Sequence, residues 1–240
     1  MALFAIADVH LSLGSDKPMD IFGPAWSDHV ARLEAGWRET VDEADTVLIP
    51  GDVSWAMDFN QLLPDLRFLD ALPGEKILSR GNHDYWWSTF ARMEAFTAAE
   101  GLGSIRFLKN NAYVRASDVI CGSRGWILPW DADFTRQDAK VLERERGRLR
   151  LSLSAAASAE EDRREGVSPR RVAMLHYPPT DQRFRPSPFT DLLEEFEVSV
   201  CVYGHLHGMG ARLGPDGESA RGVRFVNTSA DFLGFRPLRI

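Results

Sequence analysis

Seven short aliphatic and β-branched runs, at 3–7, 46–49, 76–78, 119–121, 171–175, 198–202 and 223–226, punctuate the chain, with helix-period segments between them. Runs this short, bounded by turn residues and rich in Val, Ile and Leu, read as buried strands. Strands alternating with helices specify a layered α/β domain, and nothing else in the sequence restricts the fold so strongly. A length of 240 residues allows one large domain or two small ones. With no internal repeat and no linker, residues 1–240 read as a single domain.

Between the runs, a helix is expected to start at Ser27 as its cap, with Val30, Leu33, Trp37, Val41 and Ala44 on one face. A second covers 59–71 with an interruption near Pro64, and a third runs from Tyr85 to Glu100 and stops at Gly101. The most helical stretch, 135–165, opens on Thr135 and Asp138 at capping-box spacing. Its narrow stripe of Leu142, Leu149, Leu153 and Ala156 predicts a solvated helix packed by one edge. Residues 160–170 read as its frayed end and a surface loop. Between 105 and 121, the turn residues Asn110-Asn111 and Ser117-Asp118 imply short strands and a partly antiparallel sheet.

A formal charge of −7 argues against a broad basic face for long nucleic acid. The first apolar run ends at Asp8, too early for a signal peptide or membrane span. Cys121 and Cys201, far apart and each beside an apolar run, read as buried free thiols in a reducing cytoplasm.

Chemistry gathers where the strands end. Asp8-Val9-His10 follows the first run, Gly51-Asp52 the second and Gly81-Asn82-His83-Asp84 the third. His176 follows the fifth, and His205 and His207 follow the sixth, so five of the six histidines fall at these turns. The carboxyl ends of strands are where α/β sheets present functional groups. His205 and His207, being alternate residues, would face one side of an extended segment. Together these residues read as a metal site. Asp8, His10, Asp52, Asn82, His176, His205 and His207 supply seven oxygen or nitrogen donors, too many for one catalytic ion that keeps a place for water. Two ions sharing a carboxylate would sit ~3.5–4 Å apart. Without thiolates, Mn, Fe, Zn, Co and Ni all fit and the donors do not rank them; manganese is the metal expected first. Two divalent ions, less two aspartates and a hydroxide, leave a charge of about +1, which favours an anionic phosphoryl group.

In this order, Asp-x-His, Gly-Asp, Gly-Asn-His-Asp, a single His and Gly-His-x-His resemble the motifs of the calcineurin-like metallophosphoesterase superfamily. They run from residue 8 to residue 207. The resemblance implies a four-layer α/β/β/α sandwich with mixed sheets. It also implies that Asp8, His10 and His207 hold one metal, that Asn82, His176 and His205 hold the other, and that Asp52 bridges them. "FGPAW", "GDVSWAM", "GNHDYWW" and "GSRGW" look like a bacterial subgroup of predicted phosphohydrolases.

On this reading a metal-held hydroxide attacks phosphorus in line. His83 protonates the leaving oxygen or stabilises the phosphoryl oxygens, and Asp84 accepts the other ring N–H of His83 and fixes its tautomer. Arg80 and Arg124, beside strand ends, are candidates to grip phosphate. Arg183 and Arg185 read as solvated loop charges, and His29 as structural. Trp55, Trp86, Trp87, Trp126 and Trp130 serve mostly as core, with one or two available as a wall for a flat leaving group. The expected substrate is a phosphodiester or phosphomonoester, small or nucleotide-like. The alternatives are a protein phosphatase, a hydrolase of non-phosphorus esters or anhydrides, and a scaffold that kept the fold without the chemistry.

Overall fold

A computed structural model describes residues 1–161, 169–219 and 221–240. In chain order the strands are β1 (Leu3–Ala5), β2 (Thr46–Pro50), β3 (Glu75–Ser79), β4 (Ile105–Phe107), β5 (Tyr113–Arg115) and β6 (Asp118–Ser123). They continue as β7 (Arg170–Leu175), β8 (Val200–Tyr203), β9 (Gly217–Glu218), β10 (Arg224–Asn227) and β11 (Leu238–Arg239). The α-helices are α1 (His29–Thr40), α2 (Phe59–Asp70), α3 (Phe90–Ala99), α4 (Arg136–Glu161), α5 (Pro188–Glu195) and α6 (Gly208–Ala211). Every one of the seven aliphatic runs overlaps a strand. The chain divides into two compact units, Met1–Phe107 with Thr228–Ile240, and Leu108–Asn227. Each has a mixed sheet, helices and its own apolar core, so the fold is of the α/β class.

In the first unit the strand order is β11-β1-β2-β3-β4. β1 to β4 are parallel, in the register Phe4↔Val47, Val47↔Lys76 and Lys76↔Ile105, and β11 closes one edge antiparallel to β1. Parallel strands in close register bring the turns after β1, β2 and β3 to one edge of the sheet. Leu33, Trp37, Leu62, Leu66, Leu69 and Met93 from the helices bury with Val47, Ile49 and Leu78 from the strands. Lys76 is buried too, its Nζ donating to the carbonyls of Leu72 (2.6 Å) and Gly74 (2.7 Å). Desolvation pulls that ammonium down to about 8.

Three helix boundaries differ from expectation here. Ser27 closes a 3-10 turn, Pro24–Trp26, and α1 starts after Asp28, which sits in a left-handed conformation; α1 ends at Thr40, leaving Ala44 outside it and exposed. Pro64 does not interrupt α2, because the Asp58 cap on Asn60 and Gln61 and the buried Leu62, Leu66 and Leu69 hold the helix across it. Residues 85–86 form a turn, 87–88 are irregular, and α3 begins only after Thr89, whose side chain accepts from Arg92 N–H.

In the second unit the order is β5-β6-β7-β8-β10-β9, parallel from β6 to β10 with antiparallel strands at both edges. The β5–β6 hairpin provides the expected antiparallel pairing, whereas Ile105–Phe107 joins the other sheet parallel to β3. α4 starts with the expected capping box: Asp138 N–H donates to Thr135 Oγ1 (3.3 Å) and Thr135 N–H to Asp138 Oδ2 (3.0 Å). It packs on β6, and its stripe of Leu142, Leu149, Leu153 and Ala156 is buried. The expected continuation to 165, and most of the 160–170 loop, lie outside the described residues. Cys121 and Cys201 are free thiols, fully buried in this core. No described helix is long and apolar enough to cross a membrane.

Candidate active site

In the first unit the segments after β1 and β2 run side by side. Asp8 N–H donates to the Gly51 carbonyl (3.0 Å), His10 N–H to that of Asp52 (3.0 Å) and Leu11 N–H to that of Val53 (2.9 Å). Asp8, His10 and Asp52 hold positive φ angles of 57°, 44° and 51°. A left-handed non-glycine residue costs about 1–3 kcal/mol, which surrounding hydrogen bonds must offset. With His205 at 71°, four of the ten described non-glycine residues in this region are candidate ligands, a concentration that points to function rather than to random strain.

All three side chains are buried. Asp52 Oδ1 accepts the His83 N–H at 2.8 Å, and Oδ2 lies 3.7 Å from His10 Nε2. An Asp8 carboxylate oxygen lies within 4.8 Å of a ring nitrogen of His10 and of a carboxylate oxygen of Asp52. Two buried carboxylates so close repel unless a cation lies between them, and the donor set of oxygen and imidazole suits a divalent ion. The third turn closes on the second through Gly81, where a Cβ would stand 2.0 Å from Asp52 Oδ1 and 2.2 Å from its backbone nitrogen. Half-buried Asn82 follows directly.

Asp84 does not do what the sequence suggested. Its carboxylate is fully buried and accepts five N–H groups: from Asp52 (2.9 Å), Val53 (2.9 Å), Ser54 (3.2 Å), Gly81 (2.7 Å) and the Trp86 indole (3.1 Å). None comes from the His83 ring, because both oxygens are already filled. Asp84 therefore clasps the Asp52 turn to the Gly81 turn. Burial and the Asp52 charge push its acidity down, while the N–H groups of Gly81, Ser54 and Val53 favour the carboxylate.

His83 is half-buried beside this clasp, its ring centroid 4.4 Å from Trp55, 5.8 Å from His10 and 6.1 Å from Tyr85. Its Nδ1 lies 3.4 Å from the Tyr85 hydroxyl. His29 is structural: desolvation lowers its pKa, the backbone of His10 and of Trp26 hydrogen-bonds it, and its ring meets Trp26 and Phe235. Arg80 Nε is buried without a hydrogen-bond partner among the described residues.

In the second unit, His176 is fully buried past the end of β7, its N–H donating to the Arg124 carbonyl at 3.0 Å. The His205 ring stands 5.0 Å from that of His176 and 4.1 Å from Tyr177. An extended segment would have turned His205 and His207 to one side. Instead β8 ends at Tyr203, His205 is left-handed, and His207 directly precedes α6. Arg124 pairs at 3.0 Å with buried Glu145, a carboxylate that Arg148 also reaches at 2.6 Å, and lies over Trp126 at 4.3 Å. Arg185 pairs with Asp181 (2.6 Å) and covers Trp130 (4.3 Å).

Buried carboxylates and imidazoles at the carboxyl ends of parallel strands, without thiolates, suit a divalent metal ion. The chain belongs to the calcineurin-like phosphoesterase family, whose model matches residues 1–209. Among solved structures, the phosphopantetheinyl hydrolase PptH from Mycobacterium tuberculosis is similar at 15% identity and a TM-score of 0.55, over 100% of this chain and 95% of that one. AQ665, a protein of unknown function from Aquifex aeolicus, is similar at 15% identity and a TM-score of 0.51, over 99% and 95% of the two chains. At such identities the likeness concerns the fold. No curated protein matches the sequence.

Proposed function

We propose that residues 1–240 act as one catalytic domain, a dinuclear-metal phosphohydrolase that cleaves a small or nucleotide-like phosphodiester or phosphomonoester. The observation that carries this reading is the buried cluster of Asp8, His10 and Asp52, at the ends of neighbouring parallel strands with His83 alongside. Asp8, His10 and His207 would hold one ion, Asn82, His176 and His205 the other, and Asp52 would bridge, with manganese the first metal to try. When bound, the ions would acidify a water and neutralise the phosphoryl oxygens. His83 donates a proton to the leaving oxygen or a hydrogen bond to the phosphoryl oxygens. The His83 backbone N–H donates to Asp52 Oδ1, so the turn that carries the acid also holds the bridging ligand of the neighbouring turn. Arg80, with no ion pair among the described residues, and Arg124, which shares Glu145 with Arg148, are the candidates to grip phosphate. Two buried free thiols fit a cytoplasmic enzyme.

The test uses metal-stripped protein reloaded with Mn²⁺ or another divalent ion and given bis-p-nitrophenyl phosphate and p-nitrophenyl phosphate. Metal-dependent cleavage is expected, and it should vanish together with bound metal in Asp52→Ala. His83→Ala should keep its metal and lose kcat, least with good leaving groups. Two bound ions without turnover on either ester would refute the reading.

A further inference from the structure

The loop between β1 and α1 sets one cation against the rings beside His83. Lys17 Nζ lies 4.5 Å over the Trp55 ring and 5.9 Å from the Phe22 ring. Trp55 is fixed from below: its indole N–H donates to Met19 Sδ at 3.1 Å, and its ring stacks on His10 at 5.1 Å. Lys17 makes no ion pair among the described residues; the neighbouring Asp16 and Asp20 do not reach it. An exposed lysine normally extends its ammonium into water, whereas this one is half-buried and turned onto the aromatic face. A cation over an aromatic ring is worth about 0.5–1 kcal/mol at such a site, too little to exclude a stronger anionic partner.

On the phosphohydrolase reading, His83 marks where the leaving oxygen stands. Trp55 and half-exposed Tyr85 are the rings next to it, and Lys17 lies one ring further out. We propose that Lys17, Trp55 and Tyr85 form the leaving-group subsite, selecting a leaving group with a flat ring and a second negative charge, as in a nucleoside monophosphate. This rests on the phosphohydrolase reading of the same site. Hydrolysis forms a bond from water oxygen to phosphorus and breaks the bond from phosphorus to the leaving oxygen. That oxygen keeps the electron pair and takes the His83 proton, which the proton released by water replaces. Lys17 takes no part in these transfers; it holds the departing group's other charge.

The test compares two symmetric diesters, bis(4-nitrophenyl) phosphate and bis(3-carboxy-4-nitrophenyl) phosphate, with metal-loaded protein. Both release a coloured nitrophenolate, and only the second adds an anion to the leaving ring. The readout is the ratio of kcat/KM for the carboxylated diester to that for the plain one. Lys17→Ala should lower this ratio about tenfold and Lys17→Glu further, while Lys17→Arg restores most of it. Added salt should lower the wild-type ratio and leave that of Lys17→Ala flat. A lysine that merely covers Trp55 would change both substrates together, so an active protein whose ratio is the same in all four forms overturns the subsite alone. A metal-loaded protein that cleaves neither diester overturns the phosphohydrolase reading and the subsite with it.

Discussion

In the first unit the candidate ligands sit on turns that backbone hydrogen bonds stitch together, with Asp84 buried at the centre of five N–H groups. In the second, His176 is buried, but His205 and His207 are half-exposed, and His207 opens onto the four-residue α6 with Met209 and Leu213 exposed. One set of candidate ligands is held in place by the fold itself. The other leans on a short, weakly packed segment. Preorganised donors hold an ion's geometry, while adaptable ones let it exchange ligands or admit substrate.

The largest test of that contrast is Asp84→Ala. It strands five buried N–H donors, and at about 1–3 kcal/mol each, partly relieved by water, the loss should be on the order of 5 kcal/mol. Urea unfolding without metal would measure it, and a midpoint near wild type would mean that the clasp holds little. A smaller effect is expected in amide hydrogen exchange with and without Mn²⁺. The amides of Asp52, Val53, Ser54, Gly81 and His83 should be protected in both states, while those of 205–209 should slow roughly ten- to a hundredfold on metal addition. Equal slowing in both sets would erase the distinction.

The smallest effect comes from Asp65, which ties α2 to the stitched turns by accepting Leu13 N–H (2.7 Å) and the Ser54 hydroxyl. Burial raises it to about 6, against hydrogen bonds that lower it. Its folded pKa exceeds the unfolded one, so the folded state binds the extra proton. Its contribution to stability is therefore fully present below the unfolded pKa and is lost as pH rises through about 6. Between pH 5 and 7 wild type should lose about 1.4 kcal/mol relative to Asp65→Asn, followed by urea midpoints. A parallel pH dependence of the two proteins would remove Asp65 from the ledger of what holding these turns costs.

The strands and the placement of His and Asp at their ends were legible because both are local: β-branched runs announce strands, and the polar residues that follow them fall on the turns. Helix ends were harder. Ser27 could cap, but Pro24 sets a 3-10 turn first, and the buried Leu face of α2 overrides Pro64. The roles of Asp84 and Lys17 depend on partners 30 to 38 residues away in sequence, Ser54 to Asp84 and Lys17 to Trp55. No spacing rule reaches that far. Asp84 beside His83 suggested a pair, yet the backbone of the neighbouring turn claims its oxygens first. The division into two units was also invisible, since the chain leaves the first at Phe107 and returns at Thr228 without any break in composition.

The buried cysteines have a practical consequence. Desolvation pushes the Cys121 thiol up to about 12 and raises Cys201 too, so neither offers a thiolate to an alkylating reagent near neutral pH. To maleimide chemistry the native chain is blank. A cysteine introduced anywhere on its surface becomes a unique attachment point, and a dye or spin label placed on the loop before α1 would report on that loop alone, with no need to strip out native thiols first.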